Sequence, residues 1–254
     1  MGGMLRLQTK DASDFTGGVP GWAGRQTLQY ATNGNGRVSS TILAWQPTRN
    51  LEVLGQFVWT DQKEQQDGDG NDTGASPFGN PSWLLKGKYS FGNQAVTLSY
   101  NDTQSSDRDV PYDQFGLVGS AFGNVDRDIE QRTAVLKWEW DPGSPLWNVE
   151  ANLSQARSRI DSTYIPGSST AGDFVSYLGD ADHSYETSKL TVKNTARFDT
   201  GAWEHELRTG FEVIRKERAE PDNASAARSE PGGKDRRLAA VSYTHLTLPT
   251  ICSV

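Results

Sequence analysis

The stretch from residue 130 to residue 160 constrains the fold more than any other, because it reads as two long strands joined by a turn. On either side of the turn, apolar residues alternate with mostly polar ones. The turn itself, Asp-Pro-Gly-Ser-Pro at 141–145, suits neither a strand interior nor a helix. Since successive strand side chains point to opposite faces, each arm has one apolar face, which carries Trp138, Trp140 and Trp147. Long, two-faced strands with an aromatic rim are typical of a transmembrane β-barrel.

The same unit recurs through most of the chain and predicts further strands of this kind. The predicted nine strands are residues 25–32, 38–46, 51–61, 82–90, 95–104, the two arms of the 130–160 hairpin, 185–198 and 204–218. Before them, residues 2–10 read as a short alternating strand entered by a glycine pair, and residues 16–24 read as a linker rich in Gly.

The connections between these strands alternate between short and long after the second strand. The long ones are residues 62–81, 105–128, 161–184 and a segment that opens at 219. Outer-membrane barrels have tight turns at one end and long loops at the other. A soluble β-sandwich has no reason to place every long loop at one end, although an antibody-like sandwich comes near it. The predicted fold class is therefore all-β, an antiparallel up-and-down meander that forms part of a large transmembrane β-barrel.

Composition and charge disfavour some classes of protein. The net charge of −7 disfavours a nucleic-acid binder, which needs a basic face. No apolar run approaches the roughly 20 residues of a membrane helix. The chain has 8 Trp, 8 Tyr and 9 Phe but 1 Cys, which suits an envelope protein, with a soluble β-sandwich as the alternative. The first residues lack the basic and apolar regions of a signal peptide, so we expect the natural N-terminus to lie further upstream.

The first residues resemble a known family. Gly2-Gly3, an alternating stretch and then Thr9-Lys10 are similar to the last plug strand of TonB-dependent outer-membrane receptors. The continuation at 9–15, Thr-Lys-Asp-Ala-Ser-Asp-Phe, is most similar to the haem and haemoglobin receptor branch. The resemblance implies a receptor in the outer membrane of a Gram-negative bacterium, in contact with its lipid. It also implies import of an iron-bearing ligand (haem, a haem protein or a ferric siderophore) and a TonB complex that pulls on the plug.

The resemblance also implies an organisation of the chain. Barrels of this family have about 22 strands around a plugged lumen, so we expect the TonB box, most of the plug and the later strands to lie outside this sequence. Residues 1–20 would be the end of the plug and the linker, residues 21–239 the N-terminal barrel strands, and residues 240–254 a tail of different origin. Haem or a ferric chelate would be the transported ligand, and no resident cofactor is implied.

Four residues are candidates for ligand contact. Residues 112–124 form the most apolar loop segment, and an exposed apolar segment usually marks contact. It contributes Tyr112, Phe115 and Phe122, with packing against the barrel wall as the alternative. His183 lies near the end of a predicted long loop, where a His could ligate haem iron, with a solvated loop residue as the alternative.

Other polar groups carry weaker hypotheses. Residues 67–72 resemble the start of a calcium loop, but Asp72 and Phe78 replace the Gly and Glu that the pattern needs, so we expect a flexible acidic loop. His205 is interpreted as a neutral residue at the rim of the apolar face. Inward charges could pair with a plug or line a solvated lumen; they are Lys137, Glu139, Glu150, Lys193, Arg208 and Glu212.

The sequence shows no nucleophile–base arrangement, Gly-rich phosphate loop or Cys/His metal spacing, so no catalytic or metal-binding residue is predicted. Ligand-gated import without covalent chemistry is the favoured function. A passive porin or an outer-membrane β-barrel enzyme is the alternative, and the plug-like start argues against a simple porin.

The C-terminal residues are predicted to have a different origin from the rest of the chain. Residues 241–250 read Val-Ser-Tyr-Thr-His-Leu-Thr-Leu-Pro-Thr, and their back-translation fits a transposon-end adapter used in library sequencing. The adapter frame continues to a stop codon directly after Val254. We therefore expect residues 240–254 to be non-native, and His245 and Cys252 to have no ligand or redox role. Such a tail should lie outside the sheet or pair with an edge strand.

Overall fold

The computed structural model of the chain describes residues 8–73, 77–112, 122–170, 172, 181–201, 203–219 and 233–247. These residues form one antiparallel sheet of ten strands in which each strand pairs with its neighbours in sequence. The strands are β1 Gly21–Ala31, β2 Gly36–Thr48, β3 Leu51–Gln62, β4 Phe78–Phe91, β5 Gln94–Pro111, β6 Asn124–Trp140, β7 Val149–Tyr164, β8 Ala181–Thr200, β9 Trp203–Ala219 and β10 Gly233–Thr247. The predicted meander is confirmed, as is the alternation of short and long connections after β2.

The helical content of the described residues is small. Helix α1, Ser13–Thr16, is one turn long and ends at Gly17, whose φ of 71° is left-handed. A 3₁₀ turn, Asn33–Asn35, joins β1 to β2. Within the described residues, no helix is long and apolar enough to cross a membrane.

The two faces of the sheet differ in chemistry. Helix α1 and the residues before it lie on one face, which we call the docked face. Cross-strand register carries this face from Lys88 through Thr97 to Lys137. The opposite face, which we call the apolar face, carries Trp138 and its register partner Val96. The prediction that Trp138 and Lys137 occupy opposite faces is confirmed.

Most strands are longer than the hydrophobic pattern predicts. The predicted loop at 105–128 is mostly strand, because β5 extends to Pro111 and β6 begins at Asn124. The face with Arg108 and Asp128 is polar, and on the other face Asp107 and Arg127 interrupt the buried Val110 and Val125, so no regular apolar alternation marks the extension. Backbone pairing and cross-strand contacts stabilise it instead, including an ion pair of 2.9 Å between Arg108 and Asp128. A bulge between Asp107 and Val110 interrupts the register, and Asp109 there has a φ of 53°.

The start of the chain also differs from the prediction. Residues 8–10 are irregular rather than strand, and the rest of the predicted 2–10 strand lies outside the described residues. Strand β1 begins at Gly21, inside the predicted linker. The reason is that residues 21–24 find backbone partners along the end of β2, from Gln46 to Leu43.

A tenth strand replaces part of the predicted charged loop. Strand β10 runs along the edge of β9, and its residues 240–247 lie opposite residues 204–211. The predicted non-native tail therefore pairs in part with an edge strand, the second of its two expected placements. An unpaired edge offers a row of N–H and C=O groups that any extended segment can bind, so the pairing needs no matched face pattern.

Candidate functional site

The docked face is built around the residues that precede β1. Ala12 packs against Ala44 of β2 and Leu54 of β3, and all three are buried, with exposures of 1%, 0% and 3%. Phe15, Ala23, Ile42 and Leu84 surround this small core. A methyl side chain at Ala12 lets the backbone of the docked residues approach the strands closely. Residues 9–16 are therefore held on the sheet by apolar contact as well as by polar groups.

Two lysines of β4 bind the carboxylate of Asp11. Lys86 Nζ lies 2.5 Å from Asp11 Oδ1, and Lys88 Nζ lies 2.9 Å from Asp11 Oδ2. Lys86, whose side chain is 8% exposed, also donates to the backbone carbonyl of Thr9 at 2.9 Å. Because the cluster is largely removed from water, removal of one partner costs more than it would at an exposed pair.

Two further side chains of the sheet bind helix α1. Glu52 Oε2 accepts a hydrogen bond of 2.8 Å from the Ser13 N–H, which would otherwise lack a partner at the helix N-terminus. Thr16 Oγ1 donates to Gln46 Oε1 at 2.6 Å, and Gln46 is buried. The polar residues of the docked face thus match the donors and acceptors of residues 9–16.

The electrostatics of Asp11 favour its charged form. Partial burial acts to raise the pKa of the Asp11 carboxyl, but hydrogen bonds from Lys86 and Lys88 and their positive charges outweigh it, so the pKa lies below its ordinary value. Sequence reasoning did not identify this cluster. The sequence feature that could have indicated the cluster is the pair of lysines two positions apart in β4, because alternation along a strand places both on one face.

At the end of the sheet with the long connections, the structure brings two predicted residues together. The rings of Tyr112 and Phe122 lie 5.9 Å apart. Gly123 has a φ of 70°, and a Cβ there would lie 2.6 Å from Ser168 Oγ, so the β5–β6 and β7–β8 connections interlock at this point. Phe115, the third predicted aromatic residue, lies outside the described residues.

His183 does not lie in a loop, as the sequence analysis expected. It belongs to β8 and pairs in register with Ile160 of β7, because both strands extend past the predicted loop boundaries. Strand β7 separates His183 from the Tyr112–Phe122 pair in the strand order. His183 lies on the docked face, two positions from Tyr185. His183 therefore lies near Tyr185 and apart from Tyr112 and Phe122, the other predicted contact residues that the structure describes.

Cross-strand register places the predicted inward charges on the docked face, as predicted. Lys137 contacts Glu139 at 2.5 Å and Glu150 at 3.4 Å. Glu212 contacts Lys189 at 2.6 Å. Lys193 and Arg208 share the face, opposite Glu150 and Thr195 respectively. His205 lies on the apolar face next to a short turn, stacked on Phe198 with ring centroids 5.0 Å apart.

The acidic loop at 67–72 is folded on itself. Asp67 Oδ1 accepts hydrogen bonds of 2.9 Å from the N–H groups of Asp69 and Asn71. These hydrogen bonds, those to Asn71 foremost, lower the pKa of Asp67 from its ordinary value. In the part of the chain that the structure describes, no group of three or more His, Cys, Asp or Glu side chains could hold a metal ion.

Comparison with known proteins identifies the architecture. No family model matches the sequence, and no curated protein matches it. Among solved structures, the haemophore receptor HasR of Serratia marcescens, solved with its haemophore HasA and haem, is 17% identical with a TM-score of 0.78 over 94% of this chain and 33% of the receptor. The copper transporter OprC is 14% identical with a TM-score of 0.65 over 92% and 35%.

The iron transporter FrpB of Neisseria meningitidis, in its F5-1 form, gives a third similar structure, 16% identical with a TM-score of 0.67 over 94% of this chain and 44% of the transporter. This chain thus spans about a third of the length of HasR and of OprC. Identity this low relates folds rather than activities. The chain has the fold of the barrel strands that these outer-membrane receptors and transporters share.

Proposed function

We propose that this chain comprises the N-terminal barrel strands of a TonB-dependent outer-membrane receptor that imports an iron-bearing ligand, namely haem, a haem protein or a ferric siderophore. The docking of residues 9–16 on the polar face of the sheet carries the proposal. A segment that covers the inner wall and continues into β1 is what a plugged receptor requires, whereas a porin has a water-filled lumen. In this proposal the docked face lines the lumen.

The apolar face supports contact with outer-membrane lipid. Aromatic side chains collect on it beside the short turns, where Trp22 stacks on Trp45 with centroids 5.0 Å apart and Trp138 stacks on Trp140 at 6.4 Å. Aromatic belts of this kind lie at the interface between lipid and water. The short turns would then face the periplasm, and the long connections would face the medium.

The proposed partners follow from this orientation. The ligand would meet the long connections, where Tyr112, Phe115, Phe122 and His183 remain proposed contacts. The TonB complex would act through a plug of which residues 9–16 are the end. No covalent step is required of the barrel, and the similar structures HasR, OprC and FrpB are described as a receptor and transporters. A passive porin or an outer-membrane β-barrel enzyme is the alternative.

The test is iron uptake in the source organism. The complete gene is deleted and restored, and radioactive iron uptake is measured from haem and from ferric siderophores, with and without an uncoupler of the proton-motive force. Uptake that requires both the gene and the proton-motive force is expected. Gene-dependent uptake that persists with the uncoupler would indicate a passive pore. Equal growth of the deleted and restored strains on every iron source would remove the import function.

A further inference from the structure

Residues 9–16, which we call the strap, cross three strands of the docked face one after another. The polar contacts follow the chain from β4 through β3 to β2: Asp11 with Lys86, Ser13 with Glu52 and Thr16 with Gln46. The chain then enters β1, the strand beside β2. The strap therefore meets the strands in the reverse of their order in the sequence and joins them across the sheet.

Apolar and cation–π contacts lie between these polar contacts. Ala12 is 1% exposed in the core that it forms with Ala44 and Leu54. The guanidinium of Arg25 in β1 lies 5.5 Å from the centroid of the Phe15 ring, within the range of a cation–π contact. The strap is thus attached to each of the first four strands.

A pull on the chain ahead of Thr9 would meet a buried lysine first. Lys86 Nζ donates to the Thr9 carbonyl at 2.9 Å and lies 2.5 Å from Asp11 Oδ1, and its side chain is 8% exposed. Lys88 holds the other carboxylate oxygen of Asp11 at 2.9 Å. Because removal of one partner from a poorly hydrated ion pair is costly, this first contact resists detachment of the residues behind it.

The other end of the strap is held close to the sheet by a short connection. Residues 17–20 join α1 to β1, and even a fully extended connection of this length reaches only about 17 Å. Strand β1 pairs with β2 over its full length, from Gly21 to Ala31. The strap thus cannot move far from the barrel wall unless β1 also leaves the sheet.

We propose that the strap stays bound to β1–β4 while the rest of the plug moves during import. This inference rests on the proposed import function and adds a boundary to it, because the moving part of the plug then ends before Thr9. The alternative is a plug that leaves the wall with the strap attached. In that case every contact described above would break and form again in each transport cycle.

Disulfide tethers in the complete receptor test whether the strap stays bound. Ala12→Cys with Ala44→Cys joins the strap to β2, and Ala12→Cys with Leu54→Cys joins it to β3. The three side chains share one buried core, and a disulfide needs side chains in such close contact. A thiol-reactive polymer added to the denatured receptor measures the cross-linked fraction.

The measurement is energy-dependent uptake of radioactive iron by cells that carry each tethered receptor, before and after reduction with dithiothreitol. Iron is supplied as haem, as a ferric triscatecholate or as a ferric trihydroxamate. Uptake rates should be equal in the oxidised and reduced forms, because a strap that never leaves the wall loses nothing when it is tethered.

Two further variants complete the test. Ala44→Cys with Leu54→Cys is a matched control, since these register partners place a disulfide in the same core without joining the strap. The single variant Ala12→Cys needs no cross-link. Its thiol should stay as protected from a water-soluble maleimide during uptake as it is in the presence of an uncoupler.

The outcomes separate the strap from the import function. Uptake that is blocked in the oxidised strap tethers, restored by reduction and normal in the matched control would overturn the inference while import stands. Faster labelling of Ala12→Cys in energised cells that take up iron would overturn it as well. Absence of energy-dependent uptake by the wild-type receptor would remove both proposals.

Discussion

At the scale of single residues, Asp11 joins residues 9–16 to the sheet through two ion pairs. It binds both Lys86 and Lys88, and Ser13, two residues further on, donates its N–H to Glu52. Asp11→Asn removes the charge and leaves two lysines facing the docked segment. We expect this change to destabilise docking by about 1–3 kcal/mol. Hydrogen exchange at the Ser13 amide of the folded receptor measures it, and faster exchange is expected.

A matched control is Asp61→Asn, which removes a carboxylate from the other face of β3, away from the docked residues. It should leave exchange at Ser13 unchanged. Equal exchange at Ser13 in wild type and Asp11→Asn would show that the packing of Ala12 against Ala44 and Leu54 suffices for docking.

The depressed pKa of Asp11 gives docking a pH dependence. Because its pKa is lower when docked than when detached, the ion pairs stabilise docking fully above the detached pKa of about 4. That stabilisation is lost as the pH falls through the docked pKa. We expect Ser13 exchange, corrected for the intrinsic rate, to accelerate below about pH 4 in wild type. The acceleration should be smaller in Asp11→Asn, in which Glu52 is the one carboxylate left of the two that hold residues 11–13, and an identical profile in both proteins would contradict the assignment.

At the scale of elements, the β6–β7 hairpin tests which face meets lipid. Leu136 is exposed at the centre of the apolar face, and its neighbour Val135 lies on the docked face. In lipid vesicles, Leu136→Arg should destabilise the complete barrel by about 2–4 kcal/mol, because a charge at the bilayer midplane is poorly solvated. Val135→Arg should cost much less. Urea unfolding followed by heat-modifiable gel migration measures both, and equal costs would refute the assignment of faces.

The origin of the C-terminal part of β10 can be tested by DNA sequencing. We propose that residues 240–254 are encoded by adapter sequence, and the paired part of this tail follows the open edge of β9. Resequencing the locus past Leu238 should show further barrel strands in place of residues 240–254. The same tail residues and stop codon in the genome would refute the adapter origin.

At the scale of the whole molecule, the described sheet has two ends, β1 and β10. Large apolar side chains such as Trp22, Leu28 and Leu43 are exposed on it. Open strand edges and a wide exposed apolar face both promote association. We expect the isolated chain to aggregate in buffer without detergent, as measured by light scattering after dilution from urea. A soluble monomer with cooperative unfolding would contradict the membrane assignment.

The sequence by itself determined three features: the order of the strands in a meander, which face of each central strand is apolar, and the placement of the long connections at one end of the sheet. These features follow from alternation with a period of two residues and from turn residues, which are local signals. Trp138 and Lys137 could be assigned to faces because neighbouring residues on a strand must point apart.

Tertiary structure alone decided three other features. The outer parts of β5 and β6 have polar residues on both faces, so only pairing with a neighbouring strand identifies them as strand. The contact of Asp11 with Lys86 and the approach of Arg218 to Tyr185 join residues far apart in sequence. The first contact depends on how residues 9–16 pack against the sheet, and the second depends on the register of β8 and β9, which is set by the pairing of whole strands.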